Sequence, residues 1–194
     1  LADTGKVEFL AETYAHSLSS LTEPEEFMAQ VKDHEKKLND LFGVKPKVFR
    51  NTELIYCDDL APQIAAMGYK GVITEGAKHI LGWRSPNYVY SHAYLPKLKL
   101  LARNFLWSNQ ITFYFSDPSW SEYPLTADKL IDWVASSPEG ENVHNLWMSY
   151  DTFGALQQDY TGIFEFLKAL PQIALNRGVG FVTPSDFVKV DAVA

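Results

Sequence analysis

The chain has 194 residues, 46% of them hydrophobic, and a formal net charge of −7, so we expect one domain with a sizeable core. The acidic balance, without a basic stripe, argues against a nucleic-acid partner, and the apolar runs are too short to span a bilayer. A single cysteine, Cys57, excludes an internal disulfide framework and favours a reducing compartment. We therefore expect a cytoplasmic protein with neither a nucleic-acid nor a membrane partner; its oligomeric state stays open.

Patterns of strands and helices alternate along the chain. Strands are predicted at residues 6–14, 47–53, 72–73, 111–117, 143–150 and 180–183. Helices are predicted between a Thr22/Glu25 capping box and Gly43, from Asp58 or Asp59 to Gly68, after Thr126, and over 163–175. This alternation is typical of a parallel sheet with crossover helices.

Most of the predicted strands end on a carboxylate. The acids concerned are Glu53, Glu75, Asp117, Asp151 and Asp186. In a barrel such residues converge on one face, whereas an open doubly wound sheet spreads them along an edge, so we favour a barrel. An eight-fold barrel usually needs about 250 residues, and the chain begins at Leu1 without a methionine. We therefore expect part of the barrel to lie outside this sequence.

Glu75 is the best candidate for a catalytic carboxylate. Two carboxyl groups that flank a glycosidic bond can hydrolyse it, with retention of configuration when they are roughly 5–5.5 Å apart. For most acids at strand ends the alternative is a helix cap. Glu75 is different because Gly76 and residues 77–94 follow it, and that stretch is predicted to be a long loop without a helical pattern.

The predicted loop is aromatic and contains Trp83 and Tyr88. Aromatic faces stack on sugar rings; the alternative is a loop packed by its own side chains. Metal-dependent deacetylation is a rival chemistry, but the five histidines show no close pair. No phosphate-binding or dinucleotide motif occurs, so we expect neither a metal nor a cofactor.

Four ordered segments carry a resemblance to a known family. They are Gly5-Lys-Val-Glu-Phe-Leu-Ala-Glu-Thr-Tyr-Ala-His16, Phe49-Arg-Asn-Thr-Glu-Leu-Ile-Tyr56, Gly71-Val-Ile-Thr-Glu-Gly76 and Trp147-Met-Ser-Tyr-Asp-Thr-Phe-Gly154. Together with Tyr123-Pro-Leu-Thr-Ala127 they resemble glycoside hydrolase family 57, above all its α-amylase and amylase-like members. The resemblance implies an α/β fold, an incomplete (β/α)7-type barrel with parallel strands. It also implies that residues 1–194 are a partial catalytic barrel, without at least the first strand and without the C-terminal helical part.

The resemblance also implies roles for individual residues. Glu75 matches the family's nucleophile, and Glu8 matches a residue that contacts substrate or shapes the site. We expect substrate contacts as well from His16, Glu53, Asp117, Trp83 and Tyr88.

The fourth segment departs from the amylase pattern Met-Asp-Tyr-Glu-Thr-Phe-Gly, whose Asp is the general acid. In this sequence Ser149 occupies the position of that Asp, and Asp151 occupies the position of the Glu. A serine cannot protonate a leaving oxygen as a carboxylic acid does. Asp151 is the nearby replacement, although a regular strand would place its carboxyl roughly 6–7 Å further along.

These observations support three functions. The first is a retaining glycoside hydrolase acting on an α-glucan or maltooligosaccharide, with Glu75 as nucleophile. The second, favoured by Ser149, is a non-catalytic α-glucan-binding or regulatory protein. The third is a metal-dependent polysaccharide deacetylase, which would need a histidine cluster.

Overall fold

The computed structural model describes residues 2–193. Within them the strands are β1 (Val48–Arg50), β2 (Gly71–Thr74), β3 (Val89–His92) and β4 (Leu95–Ala102). The α-helices are α1 (Pro24–Phe42), α2 (Ala61–Ala66), α3 (Lys78–Leu81), α4 (Phe105–Asn109), α5 (Ala127–Ala135), α6 (Ile163–Asn176) and α7 (Pro184–Phe187). The chain divides into two compact units. Unit 1 takes the described residues within Leu1–Gly76, Tyr88–Ala102 and Val182–Ala194, and unit 2 takes Ala77–Asn87 and Arg103–Phe181.

Unit 1 is built on a four-stranded sheet in the order β1-β2-β4-β3. β2 pairs in parallel with both β1 and β4, whereas β3 returns antiparallel to β4. The predicted strand at 6–14 is reduced to one parallel bridge between Ala11 and Phe49. The carboxyl ends of β1, β2 and β4 consequently lie along one edge, the edge at which parallel α/β sheets bind ligands.

Helix α1 packs its apolar face on this sheet through Phe27 and Val31, which are fully buried against Phe49. The helix ends at Gly43, whose φ of 64° is left-handed as predicted. The predicted capping box at its start is wrong: Glu23 occupies the N-cap and makes no side-chain cap bond. Pro24 at the first position opens the helix instead.

β2 approaches helix α7 closely at Gly71. A Cβ at this glycine would lie 2.7 Å from side-chain atoms of both Phe187 and Val188. The backbone of β2 can therefore come this close only because residue 71 has no side chain. The predicted strand at 180–183 is wrong; these residues are irregular and lead into α7.

Unit 2 is helical, and its core forms where α5 and α6 pack around Leu130, Ile163 and Phe166. Thr126 caps α5 by accepting a hydrogen bond from the Lys129 N–H at 3.2 Å, as predicted.

The predicted strand at 111–117 is wrong. Residues Gln110–Tyr114 form a π-helix that continues α4. Ile111 and Phe115 are both buried, and a spacing of four puts them on one helical face. The apolar residues of this stretch fit both the two-residue period of a strand and the period of a helix, and the chain adopts the helix.

The predicted strand at 143–150 is also wrong. Its polar backbone groups bind scattered partners rather than a neighbouring strand: Val143 N–H donates to the carbonyl of Asn87, and Trp147 N–H donates to Ser108 Oγ. Among the described residues, no helix is both long and apolar enough to cross a membrane.

Candidate functional site

Glu75 follows directly on the last residue of β2, at the carboxyl edge of the sheet in unit 1. Its N–H donates to the carbonyl of Leu54 at 3.2 Å, and its Oε1 accepts from the Gly76 N–H at 2.9 Å. The long loop predicted after it is wrong, since 77–94 contains α3 and β3. The N-cap of α3 is nevertheless Ala77. Glu75 therefore does not hold the helix-cap position that most acids at strand ends take.

The backbone that anchors Glu75 is strained. Among the described non-glycine residues, only His16, Glu53 and Leu54 have positive φ, at 50°, 54° and 56°. Such conformations cost about 1–3 kcal/mol each and persist where the surrounding structure enforces them. Glu53 and Leu54 belong to the turn whose carbonyl holds Glu75, and His16 Nε2 lies 2.9 Å from Glu53 Oε1. The strain is thus concentrated around the candidate nucleophile's anchor.

A charged network continues along the same edge. Arg50, the last residue of β1, pairs with Glu12, with Nη1 and Oε2 2.5 Å apart. The same Nη1 lies 3.5 Å from Nδ1 of His16. Two of the residues expected to bind substrate, His16 and Glu53, are therefore brought together. Arg50 was missed by the sequence analysis, although its place at the end of a predicted strand could have marked it.

Glu8, expected to contact substrate or shape the site, holds the start of α7. Its two carboxylate oxygens accept hydrogen bonds from the N–H and the hydroxyl of Ser185, at 2.6 and 2.5 Å. Asp186 in turn accepts from the N–H and hydroxyl of Thr183. Asp186 therefore caps a helix, and its expected position at a strand end is wrong.

In unit 2, Ser149 and Asp151 lie in a tight turn instead of a strand. Ser149 is the N-cap of a short 3₁₀ helix, Tyr150–Thr152, and its Oγ accepts from the Asp151 N–H at 3.2 Å. The same hydroxyl donates to Asp151 Oδ2, also at 3.2 Å. Both side chains are exposed to solvent. The turn brings the serine at the expected acid position and its candidate replacement into direct contact.

The remaining predicted substrate-binding residues fall in different settings. Asp117 accepts from the N–H and hydroxyl of Ser119, and these hydrogen bonds lower the pKa of its carboxyl. Trp83 is 91% exposed, with the Arg84 guanidinium 5.8 Å from its ring centroid. Tyr88, in unit 1, packs edge-on against Tyr90. An exposed indole of this kind is available to a ligand, whereas Tyr88 is partly buried.

No three His, Cys, Asp or Glu side chains within residues 2–193 gather closely enough to hold a metal ion. In unit 1, two histidines each lie near one carboxylate: His16 Nε2 is 2.9 Å from Glu53 Oε1, and His92 Nε2 is 3.8 Å from Asp58 Oδ1.

The glycosyl hydrolase family 57 model matches residues 1–193. A Methanocaldococcus jannaschii protein described as "Putative alpha-amylase" is 49% identical over 190 residues, which cover 97% of this chain and 40% of that protein. The chain thus spans less than half the length of this curated relative.

Two solved structures are similar in fold. The 4-alpha-glucanotransferase from Thermococcus litoralis superposes with a TM-score of 0.75 at 15% identity, over 96% of this chain and 29% of its own. The GH57-type branching enzyme from Pyrococcus horikoshii gives 0.74 at 17% identity, over 99% of this chain and 47% of its own. Both confirm the predicted α/β fold of the family's barrel enzymes. With a family model matched along nearly its whole length, this chain belongs to glycosyl hydrolase family 57.

Proposed function

We propose that this chain is part of the catalytic barrel of a retaining glycoside hydrolase that acts on α-glucan, with Glu75 as the nucleophile. The observation that carries the proposal is the position of Glu75 at the carboxyl end of a central parallel strand, held by a strained turn. The substrate class is supported by the names of two similar proteins, one described as "Putative alpha-amylase" and the other a 4-alpha-glucanotransferase.

In the proposed mechanism the Glu75 carboxylate attacks the anomeric carbon and forms a covalent glycosyl ester. A second group protonates the departing glycosidic oxygen and later takes a proton from the attacking water. We assign this role to Asp151. Ser149 positions it, because its hydroxyl binds both the N–H and the carboxylate of Asp151.

Ser149 also favours a second function, a barrel that binds α-glucan without cleaving it. A serine stands where the family pattern has its general acid, and a serine hydroxyl cannot protonate a leaving oxygen as a carboxylic acid does. Removal of general acid catalysis typically costs about 10²–10⁴ in rate, which would leave a weak enzyme or none.

Hydrolysis of an activated α-maltoside separates the two functions, because its leaving group needs little protonation. The protein is compared with its Glu75→Gln variant and with Glu139→Gln, which makes the same change at an exposed turn. Turnover that is lost only in Glu75→Gln supports the nucleophile. Equal turnover in all three would overturn the assignment. An absence of turnover, with maltooligosaccharide still bound in calorimetry, would favour the binding protein.

A further inference from the structure

Unit 2 contains a cavity of about 420 Å³ that the candidate catalytic residues do not line. Its walls include two tryptophans and several polar side chains: Trp107, Trp133, Asn87, Gln110, Glu122 and Glu141. We call it the Trp107/Trp133 cavity. Its volume falls within the range of roughly 300–1,000 Å³ that is usual for small-molecule sites.

The aromatic side of the cavity is held in place by neighbouring rings. The Trp107 and Trp133 rings have centroids 6.0 Å apart and are tilted by 34°. His144 stacks on Trp107 at 5.1 Å, and Trp120 meets Trp133 edge-on at 6.3 Å. These contacts fix the orientation of two indole surfaces at a site that is partly open. Rigid aromatic faces of this kind bind the C–H faces of a sugar ring.

Hydrogen bonds also hold polar side chains in place on the other side of the cavity. Asn87 is only 6% exposed; its Nδ2 donates to Glu141 Oε2 at 2.6 Å, and its Oδ1 accepts from Asn104 at 2.9 Å. Because Asn87 holds it, the Glu141 carboxylate keeps a fixed place in the wall of the cavity and can accept a further hydrogen bond.

The charges at the cavity favour a neutral ligand. Glu122 is paired with Lys129, with Oε2 and Nζ 2.8 Å apart, and Glu141 is bound by Asn87. Both carboxylates therefore already have donors and do not require a cation. Among the described residues that line the cavity there is no lysine or arginine, so nothing there recognises a phosphate or carboxylate.

We infer that the Trp107/Trp133 cavity binds a glucosyl unit of an α-glucan, as a carbohydrate site in addition to the proposed catalytic one. A pyranose is neutral, presents C–H groups to indole rings and offers hydroxyl donors to the carboxylates of Glu122 and Glu141. The choice of glucose as the sugar rests on the proposed function. The site itself stands on the cavity, its aromatic walls and its two carboxylates.

The test uses maltooligosaccharide and the Glu75→Gln protein, in which turnover cannot confuse binding. The five tryptophans give separate indole N–H signals, assigned by single Trp→Phe substitutions. We expect saturable shifts of the Trp107 and Trp133 signals. Glu141→Gln should weaken this binding about two- to tenfold, because a charged acceptor of a sugar hydroxyl becomes a neutral one. Trp133→Ala should weaken it by more than about tenfold. Glu139→Gln, the same change at an exposed glutamate, is the matched control.

Because Trp133 also contacts the unit 2 core, Trp133→Ala is judged only if its thermal unfolding remains cooperative. The Glu141→Gln result and the signals of the unaltered tryptophans do not depend on that variant. Sugar binding that leaves the Trp107 and Trp133 signals unmoved, or no binding at all, overturns the second site. If the unaltered protein hydrolyses glucan but the Trp107 and Trp133 signals do not shift, the proposed catalysis holds and the second site is overturned. If the signals shift but no hydrolysis occurs, the second site holds and the proposed catalysis is overturned.

Discussion

The hydroxyl of Ser149 donates to the carboxylate of Asp151 across 3.2 Å. A regular strand would have placed the two groups roughly 6–7 Å apart along the chain. The 3₁₀ turn at Tyr150–Thr152 folds the carboxylate back beside the serine instead. A carboxylate therefore lies within hydrogen-bonding reach of position 149, where the family pattern has its acid.

Asp151→Asn tests whether this carboxylate is the proton donor. We expect the kcat/KM for unactivated maltooligosaccharide to fall by about 10²–10⁴. The value for an activated α-maltoside should fall far less, because its leaving group departs without protonation. The measurement compares the loss of kcat/KM on the two substrates, and Asp159→Asn is the control. Similar losses on both substrates would point to a structural role for Asp151.

Ser149→Asp restores the residue type that the family pattern has at this position. Two carboxylates about 3 Å apart hold a proton between them, so the pair would present a protonated carboxyl group to the leaving oxygen. We expect faster hydrolysis of unactivated maltooligosaccharide and an activity that extends to higher pH. Ser149→Asn, of the same size but without an acid, should give no gain. Equal rates for the two variants would contradict the prediction.

Sequence patterns predicted the elements whose signals are local. Thr126 caps α5 and Gly43 ends α1 because each acts on the backbone within one helical turn. The strand ending near Glu75 was predicted because glycines flank a β-branched run, and in the structure Val72 and Ile73 are both buried. The predictions failed where tertiary contacts decide between a strand and a helix, as at residues 111–117, where the predicted strand is helical.

Within the candidate site, the sequence could mark Glu75 and Ser149 as candidates, because each lies in a segment that resembles a family motif. It could not show the pairing of His16 with Glu53, which are 37 residues apart and meet only through left-handed backbone conformations. Nor could it show that Glu8 binds Ser185, a contact across 177 residues. Such pairs depend on the folded path of the chain rather than on local spacing.

Gly71→Ala should destabilise unit 1. The added methyl group would lie 2.7 Å from Phe187 and Val188, and overpacking of this kind typically costs about 1–3 kcal/mol. Chemical denaturation measures the change in the free energy of unfolding. Gly180→Ala is the matched control, because a Cβ there meets no atom within 4 Å. An unchanged midpoint for Gly71→Ala would show that α7 does not pack there in solution.

His144 should make the protein less stable in mild acid. Burial lowers the pKa of its imidazole below 6.5, and the nearby Glu141 opposes this only in part. The folded state therefore takes up a proton at His144 less readily than the unfolded state does. Above pH 6.5 this difference does not change the free energy of unfolding, and as the pH falls from there towards the lower folded pKa the free energy of unfolding decreases. Denaturation midpoints between about pH 8 and about pH 5 should fall less in His144→Phe than in the unaltered protein. His79→Phe, at an exposed histidine, should not reduce the fall.

The bond between Glu8 and Ser185 also bears on the order in which the protein folds during synthesis. Unit 1 needs α7, whose Phe187 is 2% exposed and reaches Gly71, yet α7 belongs to the last segment of the described chain to leave the ribosome. Every segment of unit 2 has been made by residue 181. Because compact units fold as they emerge, we expect unit 2 to form first while the sheet of unit 1 waits for its last helix. A chain truncated after residue 181 and released from the ribosome should therefore protect unit 2 from proteolysis and leave β1 and β2 open to it.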